Sequence, residues 1–195
     1  MLPSLEIEKR AYLSSPHDKY VYDAWRGYEY LFTPDMQPFE SKLTPTVVGV
    51  IHPGWHIYTY ERDPTEKYEI YLANRDRVIT RAIKEGNAVL AWVPADARLA
   101  SIKNMGMSVL NRHVILLPNG PGGDGCTLTS EVLGSDAESR FWLSMRRRVE
   151  RIVLMGEYWD GDGGGCVGEI VKRCRQHIPD VEVIDEATYA YEPHD

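Results

Sequence analysis

A single cysteine follows a loop made almost entirely of glycine and aspartate. Cys166 comes directly after the segment GDGGG at 161–165, where an apolar helical pattern begins. A thiol in the first turn of a helix lies near backbone N–H groups and the positive end of the helix dipole, and both favour the thiolate. The preceding glycines let a ligand approach the backbone, which suits a nucleophilic cysteine with a main-chain oxyanion hole. The alternative is a small buried residue at a tight helix start.

The same loop is also compatible with an anionic ligand. Gly163, Gly164 and Gly165 offer main-chain N–H groups to a group such as phosphate. The loop lacks the Lys-Ser/Thr pair of a P-loop, and it does not follow the first predicted strand as a dinucleotide fingerprint does. It also lacks the downstream Glu of a calcium-binding helix–loop–helix site. We therefore predict no metal and no cofactor, and we keep phosphate or nucleotide binding as a third option.

Alternating strand and helix patterns must position these residues. The sequence predicts five strands, at 46–51, 88–93, 113–118, 151–156 and 181–185. It predicts helices at 69–85, 96–104, 136–149 and from Cys166 to about 178, with Cys174 on the apolar stripe of the last one and hence in the core. Continuous β-branched runs are typical of strands buried on both faces. The predicted fold class is α/β, a three-layer, mainly parallel open sheet with helices on both faces.

Ligands of such sheets bind beyond the carboxyl ends of the strands. This rule selects candidate site residues without any motif. They are His52 and Trp55 after the first strand, Asp96 after the second, Asn119 after the third and Glu157 after the fourth.

Residues 1–44 differ in composition from the rest of the chain. They contain eight of its aromatic residues, namely Tyr12, Tyr20, Tyr22, Trp25, Tyr28, Tyr30, Phe32 and Phe39. A segment so rich in aromatic side chains is not typical of a disordered tail. We predict that 1–44 is an extension packed on the domain or on a partner subunit, and that 45–195 forms a single α/β domain.

Composition and charge exclude several classes of protein. A net charge of -7 argues against a nucleic-acid binder, which needs a basic surface. The sequence has no apolar run of membrane-spanning length and no signal-peptide pattern at its start. Its three cysteines have no metal-type spacing and cannot all pair within the chain. These features predict a reduced, cytoplasmic protein with a small-molecule ligand and with neither nucleic acid nor membrane as a partner.

Four short motifs occur in a familiar order in the second half of the chain. They are GD at 123–124, an apolar strand ending in Gly156, CV at 166–167 opening a helix, and DEAT at 185–188. The segment from about 123 to 188 thereby resembles the isochorismatase-like cysteine hydrolases, which include nicotinamidases and related amidohydrolases. The first predicted strand and helix match that pattern in outline. The resemblance implies the fold of that superfamily and, since its members often assemble, a homo-oligomer.

The resemblance also implies an Asp–Lys–Cys triad in which the cysteine attacks a carbonyl or imine carbon. Cys166 matches the nucleophile. His52 stands where the family has its Asp, and Thr129 is the best match to the Lys position, so no lysine occurs there. The metal ligands of nicotinamidases reduce to Asp96 alone. The triad is therefore degenerate.

Two interpretations follow from this degenerate triad. In the first, the protein is an altered hydrolase of small amides or esters, in which His52 replaces Asp as the general base and Asp96 or Glu157 orients it. In the second, the fold serves ligand binding or assembly without hydrolysis, and His52 is a turn histidine beside Pro53. The missing lysine and the aromatic extension favour the second interpretation.

Overall fold

The computed structural model describes residues 36–56, 65–94, 98–119, 136–158 and 164–190. Within these ranges one parallel sheet contains five strands, β1 (Thr46–Ile51), β2 (Ala88–Pro94), β3 (Val114–Asn119), β4 (Arg151–Glu157) and β5 (Asp180–Tyr189). Their order across the sheet is β3-β2-β1-β4-β5. The predicted α/β open sheet is confirmed, and the first four strands lie within one residue of their predicted bounds.

Helices connect these strands. They are α1 (Gln37–Glu40), α2 (Glu66–Lys84), α3 (Arg98–Met105) with a 3-10 turn over Gly106–Leu110, α4 (Ala137–Arg148) and α5 (Gly165–Arg175). Helix α2 begins three residues earlier than its pattern predicts, because the Thr65 side chain caps it and accepts from the N–H of Tyr68 at 3.2 Å. It ends before Gly86, whose φ of +78° is the left-handed conformation of a helix cap.

The helices cover both faces of the sheet. Right-handed crossovers place α2 and α3 on one face and α4 and α5 on the other. Side-chain contacts agree with this, since Arg75 of α2 donates to the Asn104 carbonyl of α3 at 2.9 Å, and Trp142 of α4 stacks on His177 just beyond α5. Strands β1 and β2 are buried almost throughout because helices lie on both sides of them. No helix in the described ranges is long and apolar enough to cross a bilayer.

Strand β5 is longer than predicted, and its pairing is irregular. Its register against β4 shifts between Leu154 and Gly156, which pair with Val183 and Thr188 respectively. The segment between those two partners departs from the ladder, as in a β-bulge, and the Thr188 hydroxyl closes it by donating to the Ile184 carbonyl at 2.8 Å. The irregular segment contains Asp185, Glu186 and Ala187 of the DEAT motif, and from Thr188 the strand pairs again with the end of β4.

The described end of the predicted N-terminal extension belongs to the core. Phe39 of α1 is fully buried, and its ring centroid lies 5.3 Å from that of Phe141 on α4. The Thr44 hydroxyl accepts from the N–H of Ala88 at 2.8 Å and donates to the Thr46 carbonyl at 2.6 Å, which ties this segment to β1 and β2. Residues 36–44 therefore pack on the sheet's own helices and strands. The rest of the extension, 1–35, lies outside the described residues, so its role stays a prediction.

Candidate active site

The strand order changes direction between β1 and β4. From β1 the chain builds outward to β2 and β3, then returns to β4 on the other side of β1. Ile51 and Gly156, at the carboxyl ends of these two strands, pair directly. The loops that leave such strands diverge, which opens the crevice where open α/β sheets bind ligands. His52 and Glu157 follow the two paired residues, so both lie at this edge.

His52 opens a tight turn over residues 52–56. Its φ of +48° is left-handed, which is uncommon for a residue with a Cβ. The His52 N–H donates to the Trp92 carbonyl of β2 at 3.0 Å, and the Trp55 N–H donates back to the His52 carbonyl at 3.1 Å. The His52 side chain is buried, with its ring centroid 6.0 Å from that of Trp55. The candidate base thus stands in a fixed, strained turn, and such strain clusters at functional sites.

The chain leaves β4 through a second left-handed residue, Tyr158, with φ +67°. Two glycines pack tightly around this exit. A Cβ on Gly156 would lie 2.2 Å from the Ile51 carbonyl oxygen, and a Cβ on Gly165 would lie 2.1 Å from the Tyr158 carbonyl oxygen. Only glycine permits these approaches, the first between β4 and β1 and the second between the start of α5 and Tyr158, directly after the end of β4.

Cys166 lies in the first turn of α5, which begins at Gly165 with Gly164 as its N-cap. The side chain is half-buried and packs against the core. One main-chain N–H group of this turn binds within the protein: the Val167 N–H donates to the Tyr158 carbonyl at 3.3 Å. Cys174 is fully buried on the same helix, as predicted, and burial raises its pKa to about 12. Of these two thiols, only Cys166 is partly exposed.

The Glu157 side chain is fully buried, and its carboxylate accepts hydrogen bonds from other residues of the protein. Its Oε1 accepts from the Gly54 N–H at 2.7 Å and from the Tyr68 hydroxyl at 2.8 Å, and its Oε2 accepts from the His56 N–H at 2.6 Å. Burial raises the pKa of Glu157, an effect that these hydrogen bonds oppose. In this conformation Glu157 holds the 52–56 turn, and its predicted contact with a ligand stays a prediction.

A chain of polar side chains continues behind Glu157. The Asn104 amide of α3 donates to the Tyr68 hydroxyl at 3.4 Å, and Arg75 of α2 donates to the Asn104 carbonyl and side-chain oxygens. Burial, and next the charge of Glu157, raises the pKa of Tyr68, so the phenol keeps its proton and donates it. Arg75 is 1% exposed and supplies the positive charge near the buried carboxylate.

Aromatic rings surround this network. The His56 ring centroid lies 4.8 Å from that of Tyr189 and 5.4 Å from that of Tyr68, and Tyr71 completes the cluster. Sequence reasoning missed this cluster and the buried Arg75. The available signal was the spacing of Tyr68, Tyr71 and Arg75 at i, i+3 and i+7, which places a charged residue on the buried stripe of α2.

The remaining predicted site residues are distributed as follows. Asp96, Gly163 and the lysine-position residue Thr129 lie outside the described residues. Asn119 ends β3, which β2 separates from β1, so the structure places it away from the β1–β4 edge. Gly164 and Gly165 lie at the start of α5, beside Cys166. Among the described residues there is no group of three His, Cys, Asp or Glu side chains arranged to hold a metal ion.

Comparison with known proteins supports the fold alone. No family model and no curated protein matches the sequence. The structure is similar to that of N-carbamoylsarcosine amidase from Thermoplasma acidophilum, with a TM-score of 0.52 and 13% sequence identity over 77% of this chain and 87% of that one. This chain therefore has an isochorismatase-like fold, as the sequence resemblance implies. At this identity, the likeness assigns neither a substrate nor any residue's role.

Proposed function

We propose that this protein is a cysteine hydrolase of small amides or esters, with Cys166 as its nucleophile and His52 in the place of the family's Asp. The observation that carries the proposal is the position of the half-buried Cys166 side chain, in the first turn of α5, which packs on Tyr158 directly after the end of β4. N-carbamoylsarcosine amidase, whose structure is similar, is by its name an amidase, a type of enzyme that acts on a C–N bond.

The proposed reaction balances as two half-reactions. His52 accepts the proton of the Cys166 thiol, and the sulfur bonds to the substrate carbonyl carbon while that oxygen becomes an oxyanion. We assign the oxyanion to main-chain N–H groups among Gly163, Gly164 and Gly165. The C–N or C–O bond then breaks, and the leaving group takes the proton from His52. Water, deprotonated by His52, attacks the thioester carbon and releases the acid, and Cys166 recovers its proton.

Two acids, Asp96 and Glu157, are the candidates to orient the His52 side chain in this scheme. Both oxygens of Glu157 already accept hydrogen bonds from the 52–56 turn and from Tyr68. The proposal therefore assigns the orienting role to Asp96 rather than to Glu157. Without the family's lysine, the imidazolium of His52 and the dipole of α5 supply the positive charge near the developing anion.

A second candidate function is ligand binding without turnover. Two features favour it. The Glu157 carboxylate is hydrogen-bonded within the protein, and Thr129 stands at the position of the triad lysine. Under this proposal the same edge binds a small molecule, or phosphate through the glycines before Cys166, and the protein acts as a homo-oligomeric binding or assembly module. The cytoplasmic location predicted from the sequence applies to both candidates.

The deciding experiment is the pH dependence of Cys166 alkylation by iodoacetamide. Cys126 is replaced by serine, and peptide mass spectrometry separates Cys166 from the buried Cys174. We expect the rate to reach its plateau below about pH 7, and His52→Ala to move the profile toward the ordinary thiol value of about 8.5. His177→Ala is the matched control, because His177 lies beyond the opposite end of the same helix.

Substrate screening follows from the outcome. A low, His52-dependent profile supports the hydrolase, and amide and ester hydrolysis should then disappear in Cys166→Ala. An ordinary thiol profile that is the same in His52→Ala refutes the Cys–His pair. In that case, binding of small molecules and of phosphate becomes the property to measure.

A further inference from the structure

The turn that carries His52 and Trp55 is fixed by contacts on several sides. On β2 the Trp92 carbonyl accepts the His52 N–H, and on β4 Glu157 accepts the N–H groups of Gly54 and His56. Gly54 also packs against α3, since a Cβ there would lie 2.7 Å from that of Asn104. Glu157 is the only side chain among the described residues that binds two main-chain N–H groups of this turn.

We propose that Glu157 is a positioning residue of the site, whose buried carboxylate holds the 52–56 turn on the end of β4 and thereby fixes where His52 and Trp55 stand. The proposal rests on the proposed function for its catalytic meaning. In this role Glu157 takes no part in bond making or breaking. It acts through the turn, because each of its oxygens holds one of the main-chain N–H groups that follow His52.

The chemistry of the three donors requires a carboxylate at this position. Gly54, His56 and Tyr68 all donate, and a deprotonated carboxylate is an acceptor at both oxygens. A glutamine has one oxygen and one NH₂ group. Whichever way its amide is turned, the NH₂ faces at least one of these donors, so at least one hydrogen bond is replaced by a contact between two donors.

The residues behind Glu157 hold its carboxylate in place. Tyr68 donates to it, Asn104 donates to Tyr68, and Arg75 donates to Asn104. Each member of this chain comes from α2 or α3, so the position of the turn depends on the packing of these helices against the sheet. A buried hydrogen-bond network of this kind favours one rigid arrangement.

Amide hydrogen exchange, followed by NMR on the full chain, tests the proposal directly. We expect Glu157→Gln to accelerate exchange at Gly54 and His56 about tenfold or more relative to Val47 and Val50 of β1, because hydrogen bonds to a charged acceptor are lost locally. Glu182→Gln is the matched control, since Glu182 is a half-exposed carboxylate ion-paired to Arg151 near the opposite ends of the strands. It should leave these two amides unchanged.

The alkylation profile of Cys166 supplies a second measurement. If Glu157 had only a structural role, its replacement would leave this profile unchanged. Glu157→Gln should shift the profile toward that of His52→Ala, while Glu182→Gln should not. If Glu157→Gln does not fold, Tyr68→Phe carries the same test, because it keeps the ring and removes one donor to the carboxylate. We expect it to give smaller changes in the same direction, at the same two amides and in the same profile.

Two results overturn the proposal. One is unchanged exchange at Gly54 and His56, and the other is an acceleration that spreads equally over β1, which would indicate only a less stable protein. If the Cys166 alkylation profile is the same in the wild type and in His52→Ala, the proposed function is refuted instead, and with it the catalytic meaning of Glu157. The exchange data then still decide whether Glu157 holds the turn.

Discussion

Replacing Gly165 by alanine should displace the candidate nucleophile, and a second glycine offers a matched control. Gly165 and Gly86 have similar left-handed φ values, +67° and +78°. A Cβ on Gly165 would lie 2.1 Å from the Tyr158 carbonyl oxygen, whereas a Cβ on Gly86 meets nothing within 4 Å. The two substitutions therefore share the conformational strain of alanine at positive φ, and they differ in the steric clash.

The expected difference follows from the clash and from the hydrogen bond that it disturbs, because the strain is common to both variants. Alanine in the left-handed region costs about 1–2 kcal/mol, which applies to both variants. Relieving the clash at Gly165 requires α5 to move away from Tyr158, and overpacking of this kind typically costs about 1–3 kcal/mol. That movement also weakens the Val167–Tyr158 hydrogen bond, for about 0.5–1.5 kcal/mol more. We expect Gly165→Ala to lower the free energy of unfolding by roughly 2–4 kcal/mol more than Gly86→Ala.

Urea unfolding of both variants measures this difference, and alkylation of Cys166 measures its effect on the site. Because Gly165 precedes Cys166, displacement of the first turn should also change the alkylation profile, while Gly86→Ala should leave that profile as in the wild type. Equal losses of stability in the two variants would refute the inference that α5 is seated directly on the end of β4.

Two further predictions concern the core and the second thiol. Phe39→Ala should lower the free energy of unfolding, measured in urea, by about 3–5 kcal/mol, because Phe39 is fully buried against Phe141. A loss below about 1 kcal/mol would contradict the packing of residues 36–44 in the core. In the native protein near pH 8, iodoacetamide should modify Cys174 on the order of a thousandfold more slowly than Cys166, because burial raises the Cys174 pKa to about 12. Peptide mass spectrometry reads both rates, and similar rates would contradict the burial of Cys174.

The sequence alone determined the elements of this fold. Runs such as TVVGVI and RIVLMG predict buried strands, and the structure places them at Thr46–Ile51 and Arg151–Glu157. The first turn of α5 was also predictable around Cys166, because an apolar stripe begins just after a glycine-rich loop. These features are local, since side-chain branching, backbone freedom and the period of apolar residues act over a few neighbouring positions.

The tertiary structure decided how those elements meet. The sequence selected the ends of four strands as candidates, but only the strand order shows that β1 and β4 are neighbours, which sets Asn119 apart from His52. The irregularity in β5 likewise lies beyond local pattern, because its cause is pairing with β4.

The role of Glu157 is the clearest case of this division. Its place after a strand predicted a residue at the binding edge, but no sequence pattern indicated that its carboxylate would face inward. Its partners Gly54 and Tyr68 lie 103 and 89 residues away along the chain. A buried charge is stable only where such donors converge. Their convergence depends on the packing of α2 and α3 against the sheet, which no local pattern specifies.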